Sequence, residues 1–285
     1  MLIVKFEGGL GNQLFQYAFF EYLKLNNQKV YADISDFEYH RHHYGYEIEK
    51  VFGCEIEKAG KKQIRTLTVE HNNLIIRVLE GAFKIKICKR SEFSELNRIS
   101  VVEAVPIMFD TYFSGYWQNV YYIDKVKSFL RDKLTFKNSI QGKNLECYER
   151  FKGIDTVSIH IRRKDYLLNE NLGGICQKRY YEEAINYMKE KLSSPVFLFF
   201  SDDIDWCKHE FGENSENYYV DWNVGEDSYK DMQLMSLCKN NIIANSSFSW
   251  WGAWLNNNNN KIVIMPKRWT RFSDSKAMSP GWIRM

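Results

Sequence analysis

Two adjacent arginines, Arg162 and Arg163, stand at the end of a short alternating segment of the chain. Val157, Ile159 and Ile161 alternate with polar residues in that segment, which predicts a β-strand with one apolar face. A guanidinium group presents a planar fork of donors and stays charged, so a pair of them suits phosphate. The pattern therefore predicts a phosphate-binding pair at the carboxyl end of a strand, with a solvated basic turn as the alternative.

The polar side of this strand carries a further candidate. The alternation places Ser158, His160 and Arg162 on one face, whereas Arg163 begins the loop beyond the strand. Open α/β sheets bind ligands outside the carboxyl ends of their strands. We therefore expect His160 and Arg162 to face one ligand, and Arg163 to pair with a carboxylate or to assist at the phosphates.

Two other predicted strand ends carry complementary groups. The apolar run 196–200 is typical of a parallel strand buried on both faces, and it ends at Asp202 and Asp203. A later strand ends at Ser246 and Ser247, just before a tryptophan-rich helix. Hydroxyls and amides at a helix N-terminus bind phosphate, and an acid accepts hydrogen bonds from a base or a ribose. The three strand ends together predict a site for a nucleotide diphosphate.

The elements that must position these residues alternate along the second half of the chain. A helix is predicted to begin near Ser228, where the hydroxyl and Asp231 make a capping pattern. Apolar periodicity and breakers predict the others. They are a helix over 179–192, a strand over 196–200, a strand over 241–245 and a strand over 261–265.

The first half opens with a strand, a glycine-rich turn and an amphipathic helix. The turn, Glu7 to Asn12, lacks the spacing of a dinucleotide-binding motif, and no lysine follows its glycines as in a P-loop. Glycines such as Gly9 let a backbone approach a ligand closely. We expect Glu7 or Asn12 to lie within reach of that ligand, with a purely structural turn as the alternative.

Composition limits the class of protein. A chain of 285 residues with 45% hydrophobic residues can bury the core of one long domain or two ordinary ones. The polar stretch 137–152 is the predicted linker, which predicts domains over 1–150 and 151–285, with the last residues free to pack back on the first domain. A net charge of +3 is too small to indicate nucleic acid.

Cysteine usage and hydropathy predict the setting. Six widely spaced cysteines without a Cys-x-x-Cys pair favour reduced thiols in the cytoplasm. No long apolar run or signal-peptide pattern occurs, so we expect a soluble protein without an anchor of its own. The amphipathic stretch 74–90 ends in basic residues and allows peripheral contact with an anionic membrane, although a solvated domain face is the better explanation.

Other clusters have competing interpretations. The run His40 to His43 suggests metal ligands, but an exposed loop explains it better because no carboxylate or cysteine lies at ligand spacing. The aromatic and amide residues of 115–119 suit sugars or simple core packing. Asp203 and Asp205 form a D-x-D pattern typical of metal-dependent sugar-nucleotide transferases, but at a helix start such acids favour the dipole.

Two rival classes are disfavoured by the same residues. The carboxylates of a glycoside hydrolase must span a gap that the adjacent Asp202 and Asp203 do not provide. A carbohydrate-binding module without catalytic activity would use the aromatic residues but has no need of twin arginines.

Four stretches together resemble glycosyltransferase family 11, the α-1,2-L-fucosyltransferases. The resemblance also covers 45–48 and 266–269 and so spans nearly the whole chain. The four stretches are Gly8-Gly9-Leu10-Gly11-Asn12-Gln13, His160-Ile161-Arg162-Arg163-Lys164-Asp165, Phe200-Ser201-Asp202-Asp203 and Asn245-Ser246-Ser247-Phe248-Ser249-Trp250-Trp251-Gly252. Lys164 stands where many relatives have glycine.

The resemblance implies an α/β fold of the GT-B type, with two Rossmann-like domains facing across a cleft. GDP-β-L-fucose would bind the C-terminal half, and a galactose-terminated glycan, in some cases lipid-linked, would approach from the N-terminal half. Fucose would be transferred to the galactose O2 with inversion and without metal or other cofactor. A bacterial enzyme of O-antigen, capsule or oligosaccharide assembly is the setting that the resemblance suggests.

The same resemblance implies roles for the candidate residues. Arg162 is expected at the β-phosphate, and Asp202 at the guanine or ribose. Asp165 and Glu7 are the two candidates for the base that deprotonates the acceptor. The remaining donor contacts are expected from His160, Arg163, Ser246, Ser247, the Phe248 amide, Gly9 and Asn12.

Overall fold

The computed structural model describes residues 1–27, 29–39, 44–69, 74–84, 87–95 and 110–285. The chain divides into two compact units, Met1–Lys133 and Leu134–Met285, and each unit is built around its own parallel sheet. The predicted α/β class is therefore confirmed. The histidine run 40–43 lies outside the described residues, and so does part of the stretch 74–90.

The first unit contains a four-stranded sheet of order β2-β1-β4-β3, with every neighbouring pair parallel. Its strands are β1 Leu2–Lys5, β2 Val30–Asp33, β3 Glu92–Ser94 and β4 Thr111–Ser114. Its described helices are α1 Leu10–Lys24, α2 Asp36–Tyr39, α3 Ile48–Phe52, α4 Lys61–Leu67, α5 Leu74–Phe83, α6 Val120–Lys125 and α7 Lys127–Lys133.

Helix α1 is apolar nearly all round, which explains why it is buried rather than half exposed. Phe19 lies at its centre and stacks on Trp117, with 3.9 Å between the ring centroids. Phe113 and Tyr122 meet the same ring edge-on. Burial of each large apolar side chain contributes about 1.5–3 kcal/mol, so this aromatic cluster anchors α1 beside the strands it must follow.

The second unit contains a six-stranded sheet of order β12-β9-β8-β5-β6-β7, again with every pair parallel. Its strands are β5 Thr156–Ile161, β6 Val196–Ser201, β7 Asn217–Val220, β8 Asn240–Ile242, β9 Val263–Met265 and β12 Ile283–Arg284, and β10 Arg268–Thr270 and β11 Ser273–Asp274 form an antiparallel hairpin. Its helices are α8 Gly142–Arg150, α9 Lys164–Leu167, α10 Lys178–Lys191, α11 Ile204–Phe211, α12 Tyr229–Leu237 and α13 Ser247–Leu255.

The strand order of the second sheet has a functional consequence. The chain begins this sheet at the central strand β5, proceeds outward through β6 and β7, and then returns to the other side of β5 at β8. This is the order of a Rossmann fold, and its switch point lies between β5 and β8. The carboxyl end of β5, where the arginine pair was predicted, therefore borders the place where such sheets bind ligands.

Three details differ from the sequence-based expectations. Helix α8 belongs to the second unit, not to a domain ending at 150, because its Asn144 exchanges hydrogen bonds with Asn223 and accepts one from Trp222. The last residues extend the second sheet as β12, a strand that no sequence pattern predicted. Ser228 makes no side-chain cap, and the Asp231 carboxylate of the predicted capping pattern accepts from Asn223 at 2.8 Å.

Within the described residues, the structure has no helix that is both long and apolar enough to cross a membrane.

Candidate active site

Strand β5 is held from one side by an apolar layer. Val157, Ile159 and Ile161 pack in one cluster with residues of α10, among them Tyr181 and Met188. The predicted alternation is confirmed, because Ser158 and His160 occupy the other face and are buried as well. The strand ends at Ile161, so the arginines follow directly from a fully buried element whose position is determined by packing.

Arg162 is held by two carboxylates. Its Nε lies 2.8 Å from Oδ1 of Asp165, and its Nη2 donates to Oδ2 of the same residue at 3.0 Å. Its Nε also lies 3.3 Å from Oδ2 of Asp202 at the end of β6. Burial opposes the charge on Arg162, but the hydrogen bond to Asp165 and the charge of Asp202 outweigh it and raise the pKa of Arg162. The guanidinium is thus permanently charged and fixed in direction.

Arg163 points to a different partner. Its backbone N–H donates to Oδ1 of Asp202 at 2.9 Å, and its Nε donates to Oδ2 of Asp203 at 2.9 Å. Its guanidinium carbon lies 3.9 Å from the ring centroid of Trp206 on α11, which is a close cation–π contact. Arg163 is therefore paired with a carboxylate and packed against an aromatic ring.

The acidic pair at the end of β6 contacts the two arginines. Asp203 stands at the N-cap position of α11 but makes no side-chain cap, because its carboxylate accepts from Arg163. Asp202, expected at guanine or ribose, has its hydrogen bond and its ion pair with the two arginines. The adjacent acids therefore hold adjacent arginines.

His160 is the buried polar group of this site. Its side chain is 6% exposed, and its Nδ1 has no hydrogen-bond partner. Burial and then the charge of Arg162 lower the pKa of His160 to about 3, so the imidazole is neutral at ordinary pH. Its ring lies 5.8 Å from that of Phe248, between centroids, which places it beside the first turn of α13. A neutral imidazole with a free nitrogen can donate to or accept from a ligand.

The first turn of α13 faces this side of β5. Ser246 is the N-cap residue but its side chain makes no cap bond, and the first amide bonded back to it is that of Trp250. The first turn of a helix presents backbone N–H groups that no carbonyl of the same helix can accept from, and the first turn of α13 contains no acidic residue. Such an end carries partial positive charge and suits an anion.

Tyr166 joins the arginine segment to the start of α13, and its residue type offered no signal in the sequence. Its hydroxyl donates to the carbonyl of Asn245 at 3.2 Å, and the guanidinium of Arg162 lies 5.8 Å from its ring centroid. Burial raises the pKa of Tyr166 to about 12 against the opposing charge of Arg162 and a hydrogen bond with Ser246. The phenol therefore stays neutral and ties the two halves of the site together.

In the first unit, the glycine turn is held by a buried amide. Gln13 on α1 donates to the carbonyls of Gly8 and Gly45, at 2.9 and 2.8 Å, and its Oε1 accepts from the amide of Glu47 at 2.9 Å. Gly8 has a φ of +78°, and a Cβ there would lie 2.8 Å from Nδ2 of Asn12. Gly8 and Gln13 therefore have structural roles in this motif. The bonds from Gln13 to Gly45 and Glu47 explain why the family resemblance covers the stretch 45–48 together with the motif.

The predicted ligand-facing residues of this turn lie at the carboxyl end of β1. Gly9 is the N-cap residue of α1, Glu7 pairs with Lys5, and Oδ1 of Asn12 accepts from Gln118 at 2.8 Å. Tyr116, which follows β4, is 43% exposed, and burial and then the charge of Glu7 raise its pKa. An exposed aromatic ring beside a carboxylate and amides is a surface suited to a sugar.

The structure thus distributes the candidates over both units. Glu7, Gly9 and Asn12 belong to the first unit. The second unit brings together the other predicted residues, which are His160, Arg162, Arg163, Asp165, Asp202, Asp203, Ser246, Ser247 and Phe248, and adds Tyr166 and Trp206.

Comparison with known proteins identifies the class. The fucosyltransferase NodZ from Bradyrhizobium superposes with a TM-score of 0.55 over 89% of this chain and 93% of its own, at 13% identity. The molecule thus has the GT-B fold of sugar-nucleotide glycosyltransferases. The family model of Glycosyl transferase family 11 matches residues 1–285, and the chain belongs to that family.

Relatives from Escherichia coli match along the full chain. An α-1,2-colitosyltransferase is 33% identical over 298 residues, which cover 100% of this chain and 99% of the relative. The O-antigen biosynthesis glycosyltransferase WbnK is 31% identical over 98% of both chains. The galactoside α-(1,2)-fucosyltransferase 2 of Bos taurus is 29% identical over 35% of this chain. The protein is therefore a glycosyltransferase related to α-1,2-fucosyl- and colitosyltransferases.

Proposed function

We propose that this glycosyltransferase moves L-fucose from GDP-β-L-fucose to the O2 of a galactose residue in an oligosaccharide or polysaccharide precursor, with inversion at the anomeric carbon. The observation that carries the proposal is Arg162, a charged guanidinium held by two carboxylates at the switch point of the second sheet. Family membership supports the reaction class. The relatives named as α-1,2-transferases support O2 as the acceptor position.

Arg162 is proposed to stabilise the leaving diphosphate. As the fucosyl group departs, negative charge grows on the β-phosphate while the ring becomes oxocarbenium-like, so the site must favour that charge. Asp165 occupies N–H groups on Nε and Nη2 of the guanidinium, which leaves other N–H groups for phosphate oxygens. One such contact to a developing anion is worth about 3 kcal/mol, or roughly a hundredfold in rate.

The first turn of α13 is proposed to complete the phosphate site. Ser246, Ser247 and the Phe248 amide would bind the diphosphate oxygens, because the helix end attracts anions and carries no acid of its own. The neutral imidazole of His160, which lies beside the first turn of α13, would face the donor from the neighbouring strand. Asp202 is proposed to position both arginines rather than to read guanine.

The acceptor is proposed to bind at the carboxyl end of the first sheet. Tyr116 would stack on the apolar face of galactose, and Glu7 and Asn12 would accept or donate to its hydroxyls. Both oxygens of Asp165 are bonded to Arg162, so Asp165 is assigned to positioning, and Glu7 is the remaining candidate base. With positive charge supplied by Arg162 and the helix end, the reaction is proposed to need no metal.

A second donor is favoured by a specific observation. The relative that is 33% identical over the full chain is named for colitose, which is L-fucose without the 3-hydroxyl. A site that hydrogen-bonds that hydroxyl rejects the deoxy sugar strongly, whereas a site that does not will accept both. The donor preference is therefore the sharpest test of the proposal.

The decisive experiment measures transfer from GDP-L-fucose, GDP-L-colitose and GDP-D-mannose to a panel of galactosides, with the product linkage read by NMR. An α-1,2-fucosylated galactoside as the main product supports the proposal. A preference for the colitose donor would change the proposed donor but leave the proposed site unchanged. Transfer only from another nucleotide sugar, or to a position other than O2, overturns it.

A further inference from the structure

Three large apolar side chains are unusually exposed on two neighbouring segments of the second unit. Leu167 and Leu168, at the end of α9, are 59% and 89% exposed, and Phe272, at the tip of the hairpin β10–β11, is 82% exposed. Single exposed apolar residues are ordinary, but several on adjoining tips indicate a surface that contacts something else.

The two segments are tied together by hydrogen bonds. The amide of Arg271 donates to the carbonyl of Asn171 at 2.7 Å. Nδ2 of Asn245 donates to the carbonyls of Leu172 and Trp269, at 3.1 Å each. These bonds hold the turn after α9 against the hairpin, so the exposed side chains belong to one ordered region of the surface.

Positive charge surrounds these apolar tips. Lys164, Arg268 and Arg271 are exposed on the same two segments. Of the acids on these segments, Asp165 is paired with Arg162 and Asp274 with Arg284, which leaves the exposed Glu170 to oppose the three basic residues. Within the described residues of these segments, basic side chains therefore outnumber the acids that are left to oppose them.

We infer that this region, the hairpin patch of Leu167, Leu168, Arg271 and Phe272 with the flanking Lys164 and Arg268, docks on an anionic lipid surface. Apolar side chains would enter the interface while the basic residues attract the phosphates of the lipids. Aromatic rings and long apolar chains flanked by cations are the residue types that suit a membrane interface. The inference does not depend on which sugar the enzyme transfers.

The patch is continuous with the candidate site. Leu167 donates its amide to the carbonyl of Arg163 at 2.7 Å, and the same short helix carries Asp165. A surface bound to lipid at this place would hold the arginine segment next to the membrane. That arrangement suits an acceptor that is itself anchored in the lipid.

The stretch 74–90 is the competing surface. Val78 and Phe83 of α5 are exposed, but the Lys89 ammonium beyond the helix donates to the carbonyls of Arg65 and Thr66 and so is used inside the unit. Lys84 and Arg90 are also exposed in this stretch, so α5 is the alternative lipid-binding surface that the experiment must separate from the hairpin patch. A double variant of α5 therefore serves as a control matched in exposure and residue type.

The test is sedimentation of the full chain with phosphatidylcholine vesicles that contain or lack phosphatidylglycerol. The wild type should bind the anionic vesicles and be released by salt. Leu168→Ser with Phe272→Ser should lower the partition coefficient about tenfold or more, and Arg271→Ser about fivefold. Val78→Ser with Phe83→Ser should bind like the wild type.

Two further measurements separate the outcomes. All variants should keep the wild-type melting temperature and the wild-type rate with a soluble galactoside, because the changed side chains are exposed and outside the donor site. Absence of vesicle binding, equal binding by the Leu168 and Phe272 variant, or loss of binding only in the α5 control would overturn the inference. So would a wild-type dimer that the hairpin variant dissolves, which would assign the patch to a second copy of the chain.

Discussion

Asp165 binds the Arg162 guanidinium through both of its carboxylate oxygens. Oδ1 lies 2.8 Å from Nε, and Oδ2 lies 3.0 Å from Nη2. The two residues are three apart, and α9 begins between them, so the turn itself brings the carboxylate under the guanidinium. This geometry sets the direction in which the remaining N–H groups of Arg162 point. It also supports the proposal that Asp165 positions Arg162 rather than acting as the base.

Replacement of Arg162 tests the leaving-group assignment. Arg162→Ala should lower kcat about a hundredfold, because the developing charge on the diphosphate loses a fixed cation. Arg162→Lys should recover little, since an ammonium does not reproduce the fork that Asp165 holds. Arg179→Ala removes an exposed arginine that pairs with Glu183 on α10 and is the matched control. Near-normal turnover by Arg162→Ala, measured with saturating donor, would remove Arg162 from the mechanism.

Asp165→Asn separates positioning from base catalysis. Since Asp165 is more than half exposed, its pair with Arg162 is worth about 1 kcal/mol, and the variant should lose roughly fivefold in kcat. The acid limb of the pH–rate profile should stay where it is in the wild type, whereas Glu7→Gln should abolish it. Disappearance of that limb in Asp165→Asn would make Asp165 the base after all.

His160 should make the protein sensitive to acid. Its pKa is about 6.5 when unfolded and about 3 when folded, because burial and Arg162 disfavour the charged form. Between these values the unfolded state binds more protons, so stability should fall as the pH drops from about 6.5 toward 3, by up to about 1.4 kcal/mol per pH unit. Urea unfolding across this range should show a shallower decline for His160→Asn. Parallel curves for the two proteins would mean that His160 titrates normally.

Gly8→Ala should destabilise the first unit by two independent effects. A residue with a side chain is strained at a φ of +78°, by about 1 kcal/mol or more, and the new Cβ would lie 2.8 Å from Nδ2 of Asn12. Gly45→Ala, in the same unit, isolates the first effect, because Gly45 has a φ of +82° and nothing near its Cβ position. The free energy of unfolding should be lower for Gly8→Ala than for Gly45→Ala. Equal losses would show that Asn12 moves without cost.

Removal of divalent metal should leave the activity unchanged. Asp203, the first acid of the D-x-D pattern, bonds Arg163 at 2.9 Å, and Arg162 is proposed to supply the charge that a metal would otherwise bring. Initial rates should be equal with EDTA and with added Mg²⁺ or Mn²⁺. A loss of rate in EDTA that Mn²⁺ restores would contradict the proposed mechanism.

Several features of the fold were predictable from residue patterns alone. The alternation over 157–161 and the apolar run over 196–200 predicted β5 and β6, because burial of one or two strand faces imposes a readable period on the sequence. The GT-B class came from the resemblance of four motifs to glycosyltransferase family 11, whereas the residue patterns alone predicted only an α/β alternation. Boundaries were less predictable, as with α8, whose partners Trp222 and Asn223 are distant in the chain.

The sequence by itself determined which chemical groups this protein gathers: arginines, acids and hydroxyls at strand ends, and a glycine turn before α1. Only the tertiary structure decided how they pair. Asp202 and Asp203 are neighbours in sequence but have different partners. Asp202 accepts from the Arg163 backbone and approaches Arg162, whereas Asp203 accepts from the Arg163 side chain. Strand periodicity reports which face is buried, whereas a contact across two parallel strand ends depends on register and on side-chain direction, which no local pattern encodes.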